Sequence, residues 1–284
     1  MYLPFDQNLV DSFTNILESE PPEGRKKELV IQEFLENNPE LIPTTNLLNH
    51  QLHFESMVSQ FPLDTSIRTD YAYLTKSSDR WRLTLVELEV PDKKIFTNSA
   101  GQVNTSAEFN AALNQVRHWK SFIEDNKAEV IRRLEPLLQP VSMRRNPIEI
   151  QYQLIIGRSA EKNDNESRKK YLKLLSEDSG IEILTYDTLI NWYKNAPRTK
   201  KNILRLSRDF YKIHKMHVEP EHIFAYVGPD KLSLTTEQRD QLIASGYEMS
   251  KWSQGDLLTY NIKYASSTWQ QELDNGSIFD LPGV

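Results

Sequence analysis

The sequence predicts an α/β fold with a mixed central sheet flanked by helices, and three observations predict it. First, the runs SIRTDYAYLT (66–75) and WRLTLVELEV (81–90) are rich in β-branched and aromatic residues, and turn-like KSSDR joins them as a hairpin. Second, residues 106–134 carry Phe109, Leu113, Val116, Trp119 and Ile123 at helical spacing. Third, IEIQYQLIIG (148–157) and IEILTY (181–186) read as strands alternating with helical patterns at 168–176 and 187–194.

The remaining elements follow in order. Leu9, Val10, Phe13, Ile16 and Leu17 predict an amphipathic helix within 1–20, which PPEG (21–24) ends. Leu29, Val30, Phe34 and Leu35 predict a helix from Lys26 to Asn38, with Glu33 beside its apolar stripe and Pro39 just past its end. Residues 91–105 are polar and irregular, and 160–167 read as a loop. Beyond Pro197 the pattern predicts a basic helix, a short strand around HIFAYV (222–227), a helix near 236–245 and a weakly patterned tail. This divides the chain into an N-terminal helix and linker (1–24), a central domain (25–196), and a smaller C-terminal α/β or helical region (197–284).

Composition narrows the chemistry. The 284 residues include 34 Lys or Arg and 40 Asp or Glu, a net charge of −6, so the whole surface is not a general polyanion binder. The absence of cysteine excludes disulfides, thiolate zinc sites, iron–sulfur clusters and cysteine nucleophiles. There is no GxxxxGK[ST], GxGxxG or GxSxG motif. No basic-then-apolar leader and no apolar run of about 18 residues is present, so a cytoplasmic protein without a membrane partner is expected. HKMHVEPEH (214–222) offers three histidines, which read better as solvated side chains after a basic helix than as a zinc site.

The hairpin carries the most specific signal. With Lys76 facing Trp81, the register sets Asp70 opposite Glu87, and residues so opposed point to one face of the sheet. Glu89, two residues on, shares that face. Three carboxylates placed together repel one another unless a cation or a proton lies between them. An all-oxygen donor set suits Mg²⁺ or Mn²⁺. Thr84, Val86, Leu88 and Val90 form the opposite face, and Leu83 and Leu85 precede Glu87, so the strand is apolar on both sides and predicted to be central. In a chain with 40 acids such a spacing also arises by chance on a solvated edge hairpin.

Five pieces in order resemble the Shedu family of bacterial anti-phage nucleases, within the PD-(D/E)xK nuclease superfamily. They are EFLENNPELI (33–42), the Asp70 strand, LVELEVP (85–91), NQVRHWKSFI (114–123), and LIIGR (154–158) followed by IEILTYDTLI (181–190). The resemblance covers roughly 27–195, about three fifths of the chain. It implies a PD-(D/E)xK nuclease-like sheet, with Asp70 and Glu87 as metal ligands and Glu33 as an additional acid. Gln115 and Trp119 match a QxxxY-like element on the following helix, while Gly157 and Arg158 match a Gly-Arg after a core strand. The family usually has lysine where this chain has Glu89. By resemblance to restriction endonucleases with ExE, that glutamate is a further ligand or a general base, and Lys93 or Lys94 is placed to supply the missing positive charge. A homo-oligomer, a tetramer by resemblance, is implied.

The segment RTKKNILRLSRDFYKIHKMH (198–217) holds seven Lys or Arg and one Asp, a local +6, leaving −12 elsewhere. Ile203, Leu206, Phe210 and Ile213 recur at 3, 4 and 3, predicting a helix with one packed side and a basic side. Arg205 and Arg208 on that stripe, with Arg158, Lys93 and Lys94, are the predicted contacts to double-stranded DNA, the alternative for the stripe being a solvated helix or one paired with an acidic neighbour in an oligomer. The function expected is a Mg²⁺-dependent DNA endonuclease in anti-phage defence. The alternative is a catalytically impaired nuclease-like fold that binds nucleic acid or senses a partner.

Overall fold

The computed structural model describes residues 2–97, 102–163, 165–220 and 222–258. Helices α1 (Gln7–Glu18) and α2 (Lys27–Asn37) precede strands β1 (Leu52–Pro62), β2 (Arg68–Lys76) and β3 (Trp81–Leu88). The long helix α3 (Ala107–Leu134) is followed by β4 (Ile148–Ile155), a short α4 (Ala160–Asn163), α5 (Glu166–Ser179), β5 (Ile181–Leu184) and α6 (Tyr186–Asn195). The chain continues through β6 (Asn202–Ser207), β7 (Phe210–Lys215), β8 (Leu232–Ser233), α7 (Thr236–Ala244) and α8 (Met249–Ser253).

The eight strands form one sheet in the order β5-β4-β3-β2-β1-β6-β7-β8. It is mixed: β3, β4 and β5 run parallel, β1 and β6 run parallel, and the β1–β2, β2–β3 and β6–β7 pairs are antiparallel. Each face is covered, as the two-sided apolar pattern of β3 requires. On one face Leu83, Leu85, Ala72 and Leu74 pack with Phe109, Leu113, Val116 and Trp119 of α3. On the other, Val86, Leu88, Tyr71 and Tyr73 pack with α1, α2 and α6 through Phe13, Leu17, Ile31, Leu35 and Leu189. Ser106 caps α3 by accepting the Phe109 N–H at 2.9 Å, and its apolar stripe then lies along the sheet. Among the described residues no helix is long and apolar enough to cross a membrane.

Three expectations are corrected. Residues 198–217 are not a basic helix: they form the β6–β7 hairpin, whose first strand pairs in parallel with β1. The 3-4-3 spacing fitted a helix, but Ile203 and Leu204 are buried on opposite faces, as adjacent strand residues must be. The region after Pro197 therefore extends the central sheet. The HIFAYV segment is a single 3₁₀ turn (Ile223–Ala225), its apolar residues packing on Tyr247 and Trp252. Residues 160–163, read as loop, form a short helix. Strand β1 went unrecognised, because left-handed residues at Phe54, Glu55 and Gln60 break its alternation.

Candidate active site

The β2–β3 ladder runs from Lys76↔Trp81 to Tyr71↔Val86, so the next opposed pair in that register is Asp70 and Glu87. Both side chains lie on the α3 face, at the end of β3 where the chain leaves the sheet. On the other flank, β1 pairs with β2 through Ser59↔Tyr71 and Phe61↔Thr69, which sets Gln60 opposite Asp70. A row of three polar residues, Gln60, Asp70 and Glu87, thus crosses three adjacent strands. Asp70 is 7% exposed and Glu87 5%.

Each carboxylate is oriented by neutral donors. Gln60 Nε2 donates to Asp70 Oδ1 at 3.0 Å, and the Leu88 N–H donates to Oδ2 at 2.7 Å. Gln115, one turn along α3 from the buried Trp119, donates from Nε2 to Glu87 Oε1. None of these partners carries a positive charge. Burial therefore pushes Asp70 up to about 7, against the pull of the Leu88 N–H, with Glu28 and Glu89 adding to the rise. Burial likewise pushes Glu87 up to about 10, reinforced by the charges of Asp70, Glu89 and Glu28. Side by side, buried and without a positively charged hydrogen-bond partner, the two carboxyls disfavour ionising together.

Glu89 lies just past the end of β3, its N–H donating to the Ile155 carbonyl at 2.8 Å and its own carbonyl accepting from the buried Tyr186 hydroxyl at 2.6 Å. Its carboxylate is turned to the ammonium of Lys93. Consistent with that turn, no three His, Cys, Asp or Glu side chains among the described residues are gathered as a ready-made metal cage. Asp70 and Glu87 alone offer paired oxygens, which fits a hard cation that keeps several waters.

The Lys93 backbone packs closely against Gly157. That glycine has φ +64°, and a Cβ there would stand 2.8 Å from the Lys93 carbonyl, so only glycine lets the 90–95 turn lie against the end of β4. Arg158 is engaged by acids: it forks Asp187 at 3.0 and 3.2 Å and reaches Glu18 at 3.5 Å, while Asp187 also accepts the Ser159 N–H at 2.6 Å. Its work is to tie the turn after β4 to the start of α6 and the end of α1. The model of the family described as Shedu protein SduA, C-terminal, matches residues 25–190, which contain the acid row with Glu89, Lys93, Gln115 and Arg158. The chain belongs to the Shedu family. Membership implies a role in anti-phage defence. None of the curated proteins compared with this Shedu chain matches it.

Four predicted residues lie apart from the Shedu acid row. Glu33 is exposed and pairs with Arg25 at 2.6 Å. The α2 acid that acts electrostatically on Asp70 and Glu87 is Glu28, in the helix's first turn. Arg205 is spent on the other face of the sheet, where it meets both oxygens of Glu36 at 3.1 Å. The histidines are not solvated either: His214 Nε2 is 3.2 Å from the Glu36 carboxylate and His217 Nε2 is 2.7 Å from its carbonyl. Arg208 sits at the tip of the β6–β7 turn. Lys94 uses its N–H on Glu108 at 3.1 Å, and its side chain is exposed. Gln60 and Glu28 escaped the sequence reading. Gln60 lies on the unrecognised strand, and the entry direction of α2 is not written in its apolar spacing.

Proposed function

We propose that this Shedu chain is a divalent-metal-dependent DNA endonuclease of the PD-(D/E)xK type, acting in the bacterial cytoplasm as a homo-oligomer. The observation that carries the reading is the pairing of Asp70 and Glu87, two buried carboxyls on one face with no cationic partner on either. Natural proteins rarely bury such a pair without a purpose, because like charges in a low dielectric are costly. Asp70 and Glu87 would hold Mg²⁺ or Mn²⁺, with Glu89 as a further ligand or as the base. The bound ion would neutralise phosphate charge and acidify water for in-line attack on a phosphodiester.

The chain's own residues have distinct tasks in that reading. Gln60 and the Leu88 N–H orient Asp70, and Gln115 orients Glu87, so neither carboxylate needs to reorganise. Lys93, reaching Glu89 from the following turn, supplies the positive charge that the family's strand lysine would bring. The same Glu89–Lys93 pair favours the second reading, a nuclease-like fold that binds nucleic acid without cutting it, since it occupies the third carboxylate.

Plasmid nicking with Mg²⁺ or Mn²⁺ separates the two. Wild type should nick supercoiled plasmid, and Glu87→Gln, which preserves shape and removes charge, should lower the rate by orders of magnitude. Equal nicking by the variant, or none by wild type with either metal, supports the binding module instead.

A further inference from the structure

A cleft of about 840 Å³ opens between the C-terminal end of α3, the β6–β7 turn and the 226–231 loop. Five cations line it: Arg132, Arg133, Arg144, Arg208 and Lys231. Three carboxylates, Glu135, Asp209 and Asp230, leave the lining with a surplus of two positive charges. Three of the arginines are fixed by acids. Glu129 holds Arg132 at 2.9 Å and Arg133 at 3.1 Å, and Glu135 holds Arg144 at 2.9 Å. The side chains of Arg208 and Lys231 have no hydrogen bond or ion pair among the described residues.

Arg208 is the telling residue. It has φ +57° at the first position of a two-residue turn. Glycine or asparagine adopts that backbone with little strain, and a long side chain does not. A strained position occupied by an unpaired cation facing a cleft points to selection for the charge rather than for the turn.

The β6–β7 side of the cleft lies at the same end of the sheet as the acid row. Arg133 Nη1 donates to the carbonyl of Pro62 at 3.2 Å, at the end of β1, and Gln60 two residues earlier donates to Asp70. Because β6 runs parallel to β1, the β6–β7 turn leaves the sheet at that same end. Leu204 and Tyr211 share the α3-side apolar layer with Leu83 and Leu85, so cleft and carboxylates also share a face. The lining aromatic, Tyr226, has its ring on Phe54 at 6.1 Å. It is engaged in packing rather than free to stack a base, which favours a backbone ligand over a nucleotide.

We propose that this cleft grips the phosphate backbone of duplex DNA leading to the Asp70–Glu87 row. The proposal rests on the nuclease reading for the identity of the polyanion. Its test is fluorescence anisotropy of a short labelled duplex in EDTA, where no cutting occurs, across a series of salt concentrations. The double variant Arg208→Glu, Lys231→Glu should bind at least about tenfold more weakly, with the slope of log affinity against log salt reduced by about 2. Arg208→Gly with Lys231→Gln keeps the turn and should move both quantities the same way by a smaller amount. That second variant decides the matter if the first fails to fold. Unchanged affinity and slope in the folded variants, or no duplex binding by wild type, overturns the cleft. Nicking is scored separately with metal. Wild type that nicks while the variants bind normally sinks the cleft alone, and a cleft-dependent binder that never nicks sinks the nuclease reading alone.

Discussion

Two buried carboxylate sites flank the same strands and are built in opposite ways. On the α2 face, Glu36 is 3% exposed and meets the Arg205 guanidinium, the His214 imidazole and the Ser59 hydroxyl. On the α3 face, Glu87 is 5% exposed and meets a carboxamide and another carboxyl. The burial is nearly equal, so burial is not what separates them. The first site has its countercharge built in and clasps α2 to the β6–β7 hairpin. The second withholds it, which leaves room for a cation from solution. The contrast teaches that two equally buried carboxylates are told apart by the charge of their partners.

The largest expected effect breaks the complete site. Arg205→Ala strands a buried charge on Glu36 and should cost on the order of 3 kcal/mol in urea unfolding. It should leave duplex cutting per folded molecule unchanged, because Arg205 lies on the far face. A loss under about 0.5 kcal/mol would show that the clasp is surface-like.

A smaller effect of opposite sign is expected at the incomplete site. Glu87 is raised in the folded chain to about 10. The native state therefore holds its proton across a range in which the unfolded chain, near 4.5, has lost it. Stability from this group falls as pH climbs from about 4.5 to 10, and Asp70, raised to about 7, adds a fall between about 4 and 7. In the absence of divalent metal, Glu87→Gln should stabilise the protein by at least about 1 kcal/mol at pH 8 and by less at pH 5. Destabilisation at pH 8 would mean that the ionised carboxylate is already compensated.

The smallest effect sharpens the comparison from the cationic side. Lys201 is fully buried beneath the Pro39 and Ile42 carbonyls, at 2.8 and 3.0 Å, and burial pulls it down to about 7. The unfolded chain keeps that proton up to about 10.5, so this group makes stability rise with pH between about 7 and 10.5. Lys201→Met should flatten the rise, with a net change near pH 7 of under about 1 kcal/mol, since the two carbonyls lose a donor. An unaltered pH slope would place the titration elsewhere.

Much of this was legible in the sequence, for identifiable reasons. The hairpin register came through because KSSDR fixes the turn and apolar residues fix both faces, so Asp70 and Glu87 fell opposite one another. Gln115 was placed by its resemblance to the QxxxY-like element, on a helix that periodicity had located. What failed shares one cause, namely partners distant in the chain. Arg205 and the histidines look free until Glu36, far upstream, arrives across the fold. The β6–β7 hairpin carries arginine where a turn-forming glycine or asparagine would have announced it, and its parallel partner β1 lies about 145 residues away. Gln60 belongs to that same irregular strand.

The most direct test of the central claim is titration calorimetry of Mn²⁺ into wild type and Glu87→Gln at pH 8. Wild type should bind about one essential ion per chain, and the variant should lose that binding. No Mn²⁺ binding by wild type, or undiminished binding by Glu87→Gln, would contradict it.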